Sequence, residues 1–262
     1  MHTLHLFIQA RLIAYFNDVD YLHNQLKIRR LCASRLRLNP SKTVVLWLGS
    51  RHVIDKLDVH KVQVLSSTVK IDSSARDLGV VVDSRLTMSD HVASVCRSAY
   101  YYLRQIRPIV QSLTVDAART LVQAFIASRL DYCNAVLRGI TDNLLRRLQS
   151  VQNVAARLVT RTGRCEHITS VLGKLHWLPV RRRVEFKKAT LVFNALNNLA
   201  SPYLVDDCNL VSDDTRRLRS AASVTCSVPR TRTRLGKGSF AALRAVEDHE
   251  QFKEQLKTHL FD

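Results

Sequence analysis

This chain contains few of the residues that break helices and strands. Its 262 residues include seven glycines and five prolines. Because glycine and proline mark most turns and end most helices, so few of them favour long helices joined by short connections. The 46% share of hydrophobic residues is enough for one or two packed domains.

Patterns typical of β structure occur only in the N-terminal third. Residues 4–16 fit a strand or a buried helix equally well. The run RLRLNPSKTVVLWLGS at 35–50 predicts a hairpin, because two β-rich segments flank a turn signal at Asn39–Lys42. A further strand pair is predicted at 68–71 and 76–83.

Helical periodicity dominates the rest of the chain. Apolar stripes, capping residues and stop signals predict helices at about 18–34, from Thr87 or Ser89 to 106 (ended near Pro108), 115–137 (ended by Gly139), 141–163, 179–199 and 247–260. Residues 209–239 are rich in Ser, Thr and Arg and lack periodicity, which indicates a long basic loop or arm.

Together these elements predict an α+β fold that is mostly α-helical, with a small antiparallel β portion in the N-terminal third. We expect three regions: a hairpin region at 1–86, a helical region at 87–205, and a basic arm with a C-terminal helix at 206–262.

The chain carries a large positive charge. Its formal net charge is +18, with 40 Lys and Arg against 22 Asp and Glu. A surplus of this size creates a long-range field that favours polyanions. Nucleic acid is the commonest such partner, and an anionic membrane surface is the next.

The predicted helix at 141–163 separates its apolar residues from its arginines. At about 100° per residue, Arg146, Arg157 and Arg161 lie opposite an apolar stripe formed by Leu144, Leu148, Val151, Ala155, Leu158 and Val159. These arginines fit contacts with an anion, and the alternative is a solvated face on a surface helix.

Two further basic clusters add to this pattern. The run RRRVEFKK at 181–188 puts Arg181, Arg182 and Arg183 in the first turn of a helix, where they oppose the helix dipole. We expect a phosphate to supply the missing negative charge, since a stable monomer gains nothing from that placement. Residues 215–246 contain basic residues and no Asp or Glu, which is typical of an arm that tracks a phosphate backbone. Trp177, Phe186 and Phe240 could stack on bases or belong to the core.

Motifs for chemistry are scarce. The chain has no Gly-rich phosphate loop, no G-x-S-x-G and no H-E-x-x-H. Residues 165–167 (Cys-Glu-His) with His176 loosely resemble metal ligands, but their spacing fits no common zinc module. The pairs Asp206-Asp207 and Asp213-Asp214 fit loops or caps, so no cofactor is predicted.

Cysteine usage and hydropathy indicate a protein inside the cell. The six cysteines are widely spaced without a C-x-x-C, which predicts reduced and mostly buried thiols. No apolar run reaches the length of a membrane span, and the start lacks the features of a signal peptide. We therefore expect a nuclear or cytoplasmic protein that does not enter a membrane.

Several segments, in their order along the chain, resemble the reverse transcriptase (RNA-directed DNA polymerase) of non-LTR, LINE-type retrotransposons, especially the jockey and CR1 groups. The resemblance covers about residues 17–262. The segments are RLRLNPSKTVVLWLGS at 35–50, ARDLGVVVDSRLTMSDHV at 75–92, ASRLDYCNAVLRG at 127–139, LQSVQNVAARLVTR at 148–161, LHWLPVRRRVEFK at 175–187, VPRTRTRLGKGSF at 228–240 and FKEQLKTHLF at 252–261.

The resemblance implies the end of a polymerase palm, followed by a thumb and a C-terminal region. It implies that the 35–50 hairpin packs on the strand near Gly79–Val82, with Trp47 at least partly buried. The inherited role would be to grip template RNA or an RNA–DNA duplex without reading its sequence. The residues predicted to bind nucleic acid are Lys42, Arg146, Arg157, Arg161, Arg181, Arg182, Arg183, Lys187, Arg230, Arg232 and Arg234.

The departures from the family bear on catalysis. The intact family holds Mg²⁺ with an aromatic-Ala-Asp-Asp motif shortly before the hairpin, whereas residues 1–50 contain only Asp18 and Asp20. An aromatic-Asn-x-Leu-Pro step is also missing from GSFAALRAVEDHEQF at 238–252. We therefore expect a truncated, internally deleted transposable-element product without polymerase activity, because two-metal catalysis needs carboxylates for both ions.

Two alternatives remain open from the sequence. One is a metal-dependent enzyme acting on nucleic acid through Asp18 and Asp20. The other is a non-catalytic scaffold that binds a protein partner through an exposed apolar face. The sequence leaves the oligomeric state undefined.

Overall fold

The computed structural model describes residues 12–15, 44–49, 54, 60–64, 67–163, 165–206, 208 and 249–261. The chain divides into two compact units, Met1–Ser94 and Val95–Asp262. All described strands belong to the first unit, and the described part of the second unit is helical. This confirms the predicted α+β class with its β portion near the N-terminus. The division at residues 86 and 205 stays a prediction.

The first unit contains a mixed four-stranded sheet. Its strands are β1 (Leu12–Tyr15), β2 (Val44–Trp47), β3 (Lys61–Val64) and β4 (Ser67–Asp72), in the order β1-β2-β4-β3. Strand β2 runs parallel to β1 and β4, and only β3 and β4 are antiparallel. Val45 and Leu46 are both fully buried, so β2 is covered on both faces, as is usual for a strand with parallel neighbours. The sequence predicted an antiparallel β portion. The sheet is instead mixed, because β2 runs parallel to both of its neighbours.

The predicted strand at 76–83 is in fact a separate hairpin. Strands β5 (Ser74–Asp77) and β6 (Val80–Asp83) pair with each other in an antiparallel register. The turn between them is Leu78-Gly79, with φ angles of 44° and 87°. Positive φ at both central positions is typical of a type I′ hairpin turn, and glycine adopts such an angle without strain. The predicted pairing with residues 68–71 is wrong, because β4 pairs with β2 and β3.

The predicted hairpin at 35–50 is described only in its second arm. That arm is β2, whereas its first arm and turn at 39–42 lie outside the described residues. Strand β2 lies beside β5, and the Gly49 amide donates to the Ser84 carbonyl at 3.1 Å, directly after β6. Trp47 is half-buried against the cluster of Val45, Val62 and Val69. The partial burial expected for Trp47 is thus confirmed.

Eight described helices follow the strands. They are α1 (Ser89–Ile109), α2 (Val115–Val122), α3 (Ser128–Asp131), α4 (Asp142–Thr160), α5 (Ile168–Lys174), α6 (Val180–Leu196), α7 (Pro202–Asp206) and α8 (His249–Phe261). The predicted helices at 87–106, 141–163, 179–199 and 247–260 correspond to α1, α4, α6 and α8. Helices α5 and α7 were not predicted, and residues 18–34 and 209–239 lie outside the described residues.

The predicted helix at 115–137 is interrupted. A π-helical turn at Gln123–Ala127 joins α2 to α3, and a 3₁₀ segment at Asn134–Leu137 follows. The break between α3 and that segment is Cys133, whose φ of 50° is left-handed. Helix α1, in contrast, continues past its predicted end, since Pro108 occupies its last turn. A proline there removes a single backbone hydrogen bond, which the end of a helix tolerates better than its middle.

The turn that leads from β6 into α1 is organised by the carboxylate of Asp83. This buried side chain accepts hydrogen bonds from the amides of Arg85, Thr87 and Met88 at 3.1, 2.9 and 2.7 Å. The Thr87 hydroxyl in turn accepts from the Ser89 amide at 3.3 Å. Asp83 therefore gives the DSRL segment at 83–86 a structural role. The helix begins at Ser89, and the Met88 carbonyl accepts its first backbone bond, so the capping position belongs to Met88 and not to Thr87 or Ser89 as predicted.

Helix α4 is central to the second unit and packs against α2, α5 and α6. Five of its predicted apolar residues are buried, and Leu158 is half-buried; the buried five are Leu144, Leu148, Val151, Ala155 and Val159. Each aliphatic side chain larger than alanine contributes about 1.5–3 kcal/mol when fully buried. Helix α8 packs on α6 through Phe193 and Phe252, whose rings stack with centroids 4.1 Å apart.

The described cysteines are free thiols, but most are not buried. Only Cys96 is buried, while Cys208 is half-buried and Cys133 and Cys165 are exposed. The prediction of mostly buried thiols is therefore wrong for these four. In the described ranges, no helix has both the length and the apolar character needed to cross a bilayer.

Candidate nucleic-acid interface

The arginines of α4 lie at its two ends. Arg146 is exposed near the N-terminal end, and its Nε donates to the Asp142 carbonyl at 3.4 Å. Arg161 follows the C-terminal end, fifteen residues later, which is about 22 Å along the helix axis. The arginines that were predicted to form one face of α4 therefore lie at opposite ends of the helix.

The C-terminal arginines of α4 contact the protein itself. Arg161 donates to the carbonyls of Val110 and Leu113 at 3.1 and 2.7 Å, so it ties the end of α4 to the segment after α1. Arg157 is half-buried and donates to the Glu166 carbonyl at 3.4 Å. Its Nε is buried without a hydrogen-bond partner among the described residues. Arg161 thus has a structural role that sequence periodicity does not reveal.

Two glutamines of α4 hold the start of α6. Gln152 is almost fully buried and donates to the Leu178 carbonyl at 2.8 Å. Gln149 accepts from the Val180 amide at 2.8 Å. Pro179 precedes the first residue of α6, where its fixed φ suits the start of a helix. This network fixes the position of Arg181, Arg182 and Arg183, which we call the Arg181–Arg183 triplet.

Each arginine of the triplet meets a carboxylate. Arg183 bonds to both oxygens of Asp131, at 2.8 and 2.9 Å, Arg181 pairs with Asp142, and Arg182 pairs with Glu185 at 3.4 Å. The negative charge that offsets the helix dipole is therefore part of the protein. The premise that a monomer lacks this negative charge is therefore wrong, whereas binding of nucleic acid by the triplet stays a prediction.

Arg183 is the most enclosed member of the triplet. Its side chain is 13% exposed, compared with 59% for Arg181 and 45% for Arg182. It also donates to the Leu178 carbonyl at 2.9 Å, and its guanidinium lies 6.0 Å from the centre of the Trp177 ring. These contacts make Arg183 an anchor between α3 and α6.

Arg181 and Arg146 are brought together, since both bond to Asp142.

A basic and aromatic surface on α1 was missed by the sequence analysis. Arg97, Tyr100, Tyr101, Arg104 and Arg107 are exposed and fall within about 120° of arc, at about 100° per residue. We call these five residues the α1 face. The opposite side of the helix is buried through Cys96, Ala99, Leu103 and Ile106. In the described part of the chain, no carboxylate forms an ion pair with Arg97, Arg104 or Arg107.

Aromatic rings extend this surface towards α2 and α3. The ring of Tyr102 stacks on that of Phe125, with centroids 5.1 Å apart and an interplanar angle of 22°. Tyr101 meets Tyr102 edge to face at 5.3 Å, and the Arg129 guanidinium lies 4.6 Å from the centre of the Tyr102 ring. Tyr101 is 52% exposed and Phe125 is 39% exposed. We call these four residues the tyrosine stack.

One arginine of α4 lies near Cys96 of α1. Burial raises the pKa of the Cys96 thiol, and the positive charge of nearby Arg147 opposes that rise. Burial and then the neighbouring Cys96 raise the pKa of Tyr100. The exposed guanidinium of Arg147 therefore lies close enough to Cys96, on the buried side of α1, to favour the charged form of its thiol.

The signal for the α1 face was present in the sequence. The segment RSAYYYLRQIR at 97–107 contains three arginines and three tyrosines and no acidic residue. The same wheel that was applied to α4 separates this segment into an apolar and a basic side. The segment was interpreted only through its apolar stripe.

The remaining predicted site residues are placed as follows. Lys187 is exposed on α6. Lys42, Arg230, Arg232 and Arg234 lie outside the described residues. Among the aromatic residues, Trp177 is buried, and Phe186 is half-buried against the apolar cluster that contains Phe193 and Phe252, which confirms the core alternative for both. Phe240 lies outside the described residues.

The described residues contain no group of three or more His, Cys, Asp and Glu side chains that could hold a metal ion. Residues 165–167 and His176 thus form no such cluster. Asp207, Asp213 and Asp214 lie outside the described residues.

Basic residues outnumber acidic ones in the helical region. Residues 95–206 contain 17 Lys and Arg but six Asp and Glu. Three of those six carboxylates pair with the Arg181–Arg183 triplet, which leaves few for other arginines.

The chain matches no protein-family model, no curated protein and no solved structure.

Proposed function

We propose that the second unit binds nucleic acid without reading its sequence. The observation that carries this proposal is the α1 face, where three exposed arginines lack a carboxylate partner among the described residues. Like charges held close together repel each other, and a polyanion relieves that repulsion. Guanidinium groups on a phosphate backbone give binding that does not depend on the base sequence.

Nucleic acid fits the α1 face better than an anionic membrane does. A helix that lies in a membrane interface buries an apolar side among the lipids. The apolar side of α1 is already buried in the protein through residues such as Ala99 and Leu103. The exposed side offers arginines and tyrosines, which are the side chains that contact phosphates and bases.

The resemblance to non-LTR reverse transcriptases supports the same proposal. We propose that the chain is a non-catalytic relative of those polymerases that retains affinity for RNA or an RNA–DNA duplex. Its first fifty residues contain no Asp-Asp pair. Purified chain should therefore not extend a primer on an RNA template with Mg²⁺ or Mn²⁺. Template-dependent extension that is abolished by Asp18→Ala would contradict this proposal and favour the metal-dependent enzyme.

The binding proposal is tested by fluorescence anisotropy. The purified chain is titrated into labelled single-stranded RNA and into an RNA–DNA duplex at several salt concentrations. We expect affinity to fall steeply as salt rises, because phosphate contacts release counterions. Affinity should change little between unrelated sequences of the same length.

The alternative is a scaffold that binds another protein. Two exposed hydrophobic residues near the end of the helical region favour it, Leu199 at 62% and Tyr203 at 68% exposure. If the chain binds neither nucleic acid at low salt, the nucleic-acid proposal fails and the scaffold takes its place.

A further inference from the structure

The tyrosine stack contains aromatic rings that the helical core does not cover. Tyr101 and Phe125 each contact the ring of Tyr102 and are 52% and 39% exposed. Large aromatic side chains usually bury most of their surface, so two exposed rings in one cluster point to a ligand. Their neighbours along α1, Arg97 and Arg104, give that ligand a positive surrounding.

We infer that the tyrosine stack and the α1 face form a binding site for single-stranded nucleic acid, in which unpaired bases stack on Tyr101 and Phe125 and phosphates contact Arg97 and Arg104. This inference rests on the proposed function and specifies its ligand. A base presents its flat face only when it is not stacked inside a duplex. Exposed rings beside arginines therefore favour a single strand over a duplex.

The geometry of the cluster supports stacking. Tyr102 and Phe125 are already nearly parallel, with an angle of 22° between their planes. Arg129 holds this pair from α3, since it lies over the Tyr102 ring and its Nε donates to the Phe125 carbonyl at 3.0 Å. Rings that are fixed before binding lose little entropy when a base arrives. The cluster therefore acts as a preformed platform.

The charges around the platform match the ligand. Residues 97–107 contain three arginines and no Asp or Glu. A protein partner would need an acidic surface that also supplies flat rings, whereas a nucleic-acid strand supplies both features in every nucleotide.

The experiment compares three ligands of equal length: a 12-nucleotide oligouridine, an abasic strand with the same phosphates, and an RNA–DNA duplex. The parent chain should bind oligouridine more tightly than the abasic strand. Tyr101→Ala should weaken oligouridine binding about tenfold, because one stacking contact is lost. The same change should leave the affinity for the abasic strand and the duplex within about twofold.

Control variants separate stacking from charge and from folding. Tyr203→Ala removes a tyrosine on α7 that is more exposed than Tyr101, 68% against 52%, and should bind like the parent. Arg104→Gln should weaken binding of all three ligands, because it removes a phosphate contact. Tyr101→Trp keeps a flat ring and should bind oligouridine as well as the parent does, with quenching of the added indole fluorescence on binding. Circular dichroism spectra that match the parent's show that each variant is folded.

The outcomes distinguish this inference from the proposed function. If the chain binds none of the three ligands at low salt, the proposed function fails. If it binds all three equally and Tyr101→Ala changes nothing, nucleic-acid binding stands and the stacking platform is overturned. A preference for oligouridine that disappears in Tyr101→Ala and persists in Tyr101→Trp supports the platform.

Discussion

The Arg181–Arg183 triplet and the α1 face are built from the same kind of residue but have different surroundings. Each member of the triplet pairs with a carboxylate, from Asp131, Asp142 or Glu185. The three arginines of the α1 face are exposed, and no described carboxylate pairs with them. The triplet is denser in sequence, yet the α1 face has more charge available to a ligand.

This difference shows that a run of arginines does not by itself identify a binding surface. Whether an arginine is available to a ligand depends on whether the folded chain brings a carboxylate next to it. Asp142 and Asp131 lie 39 and 52 residues before their arginine partners. Such pairing depends on tertiary structure, whereas the absence of acidic residues between 97 and 107 is visible locally. Substitutions in the two regions should therefore affect different properties of the protein.

The largest effect should come from Arg183→Ala. This change removes both bonds to Asp131 and the bond to the Leu178 carbonyl. Because the arginine side chain is 13% exposed and Asp131 is 40% exposed, the pair is only partly screened by water. We expect the free energy of unfolding to fall by about 2–3 kcal/mol. Urea denaturation followed by circular dichroism measures it.

Arg182→Ala is the matched control for that measurement. Its ion pair with Glu185 joins an exposed arginine to a half-buried glutamate within one helix, so the free energy of unfolding should change by less than about 0.5 kcal/mol. If Arg183→Ala had the parent's urea midpoint, the triplet would contribute no more to the free energy of unfolding than the α1 face does.

A second effect should appear in nucleic-acid affinity when Arg97, Arg104 and Arg107 are all changed to Gln. The loss of phosphate contacts should lower affinity roughly 10- to 100-fold near 0.1 M salt and reduce the salt slope by roughly two. Anisotropy titrations with oligouridine at several salt concentrations provide both quantities. Stability should change little, because these side chains are exposed.

The control for this prediction is the double change Arg181→Gln and Arg182→Gln. It removes two charges that are already paired, so we expect affinity to stay within about threefold of the parent. A double variant that lost more affinity than the triple variant would place the binding surface at the triplet, as the sequence alone had indicated.

The sequence predicted some features of this fold well and others not. The apolar stripe of α4 and the start of α6 after Pro179 follow from local periodicity and capping, and the structure agrees. Strand pairing was predicted wrongly, because short strands choose partners through non-local contacts that periodicity does not encode. The Leu78-Gly79 turn was a local signal that was overlooked.

The candidate site shows the same division. The exposure of Arg146 follows from the helical wheel. The use of Arg161 to bind the carbonyls of Val110 and Leu113 does not, since those residues lie about fifty positions earlier. The α1 face could have been found locally, because its arginines and tyrosines share one side of a single helix.

A smaller effect should follow from Asp142→Asn, which frees Arg181 from its carboxylate. The freed guanidinium should act like those of the α1 face, and we expect affinity for nucleic acid to rise about two- to fivefold at low salt. Asp206→Asn is the matched control, because it removes an exposed carboxylate without releasing an arginine of the triplet. Equal gains for the two variants would mean that only net charge matters and that ion pairing does not separate the two regions.

The smallest effect concerns a basic residue that is neither paired with a carboxylate nor exposed. His91 is 4% exposed, and its Nδ1 accepts a hydrogen bond from the Val81 amide at 3.3 Å. Burial, and then the positive charge of Arg76, lower the pKa of His91 below its ordinary value near 6.5. As pH falls through 6.5, the unfolded chain therefore takes up a proton that the folded chain does not. The free energy of unfolding should decrease from pH 7.5 to pH 5.5, since stability rises with pH wherever the unfolded state binds more protons.

His91→Gln keeps a hydrogen-bond acceptor and does not titrate, so its free energy of unfolding should decrease less over the same range. Urea denaturation of both proteins at the two pH values gives the difference. An equal decrease in parent and variant would show that the pKa of His91 is not lowered in the folded chain.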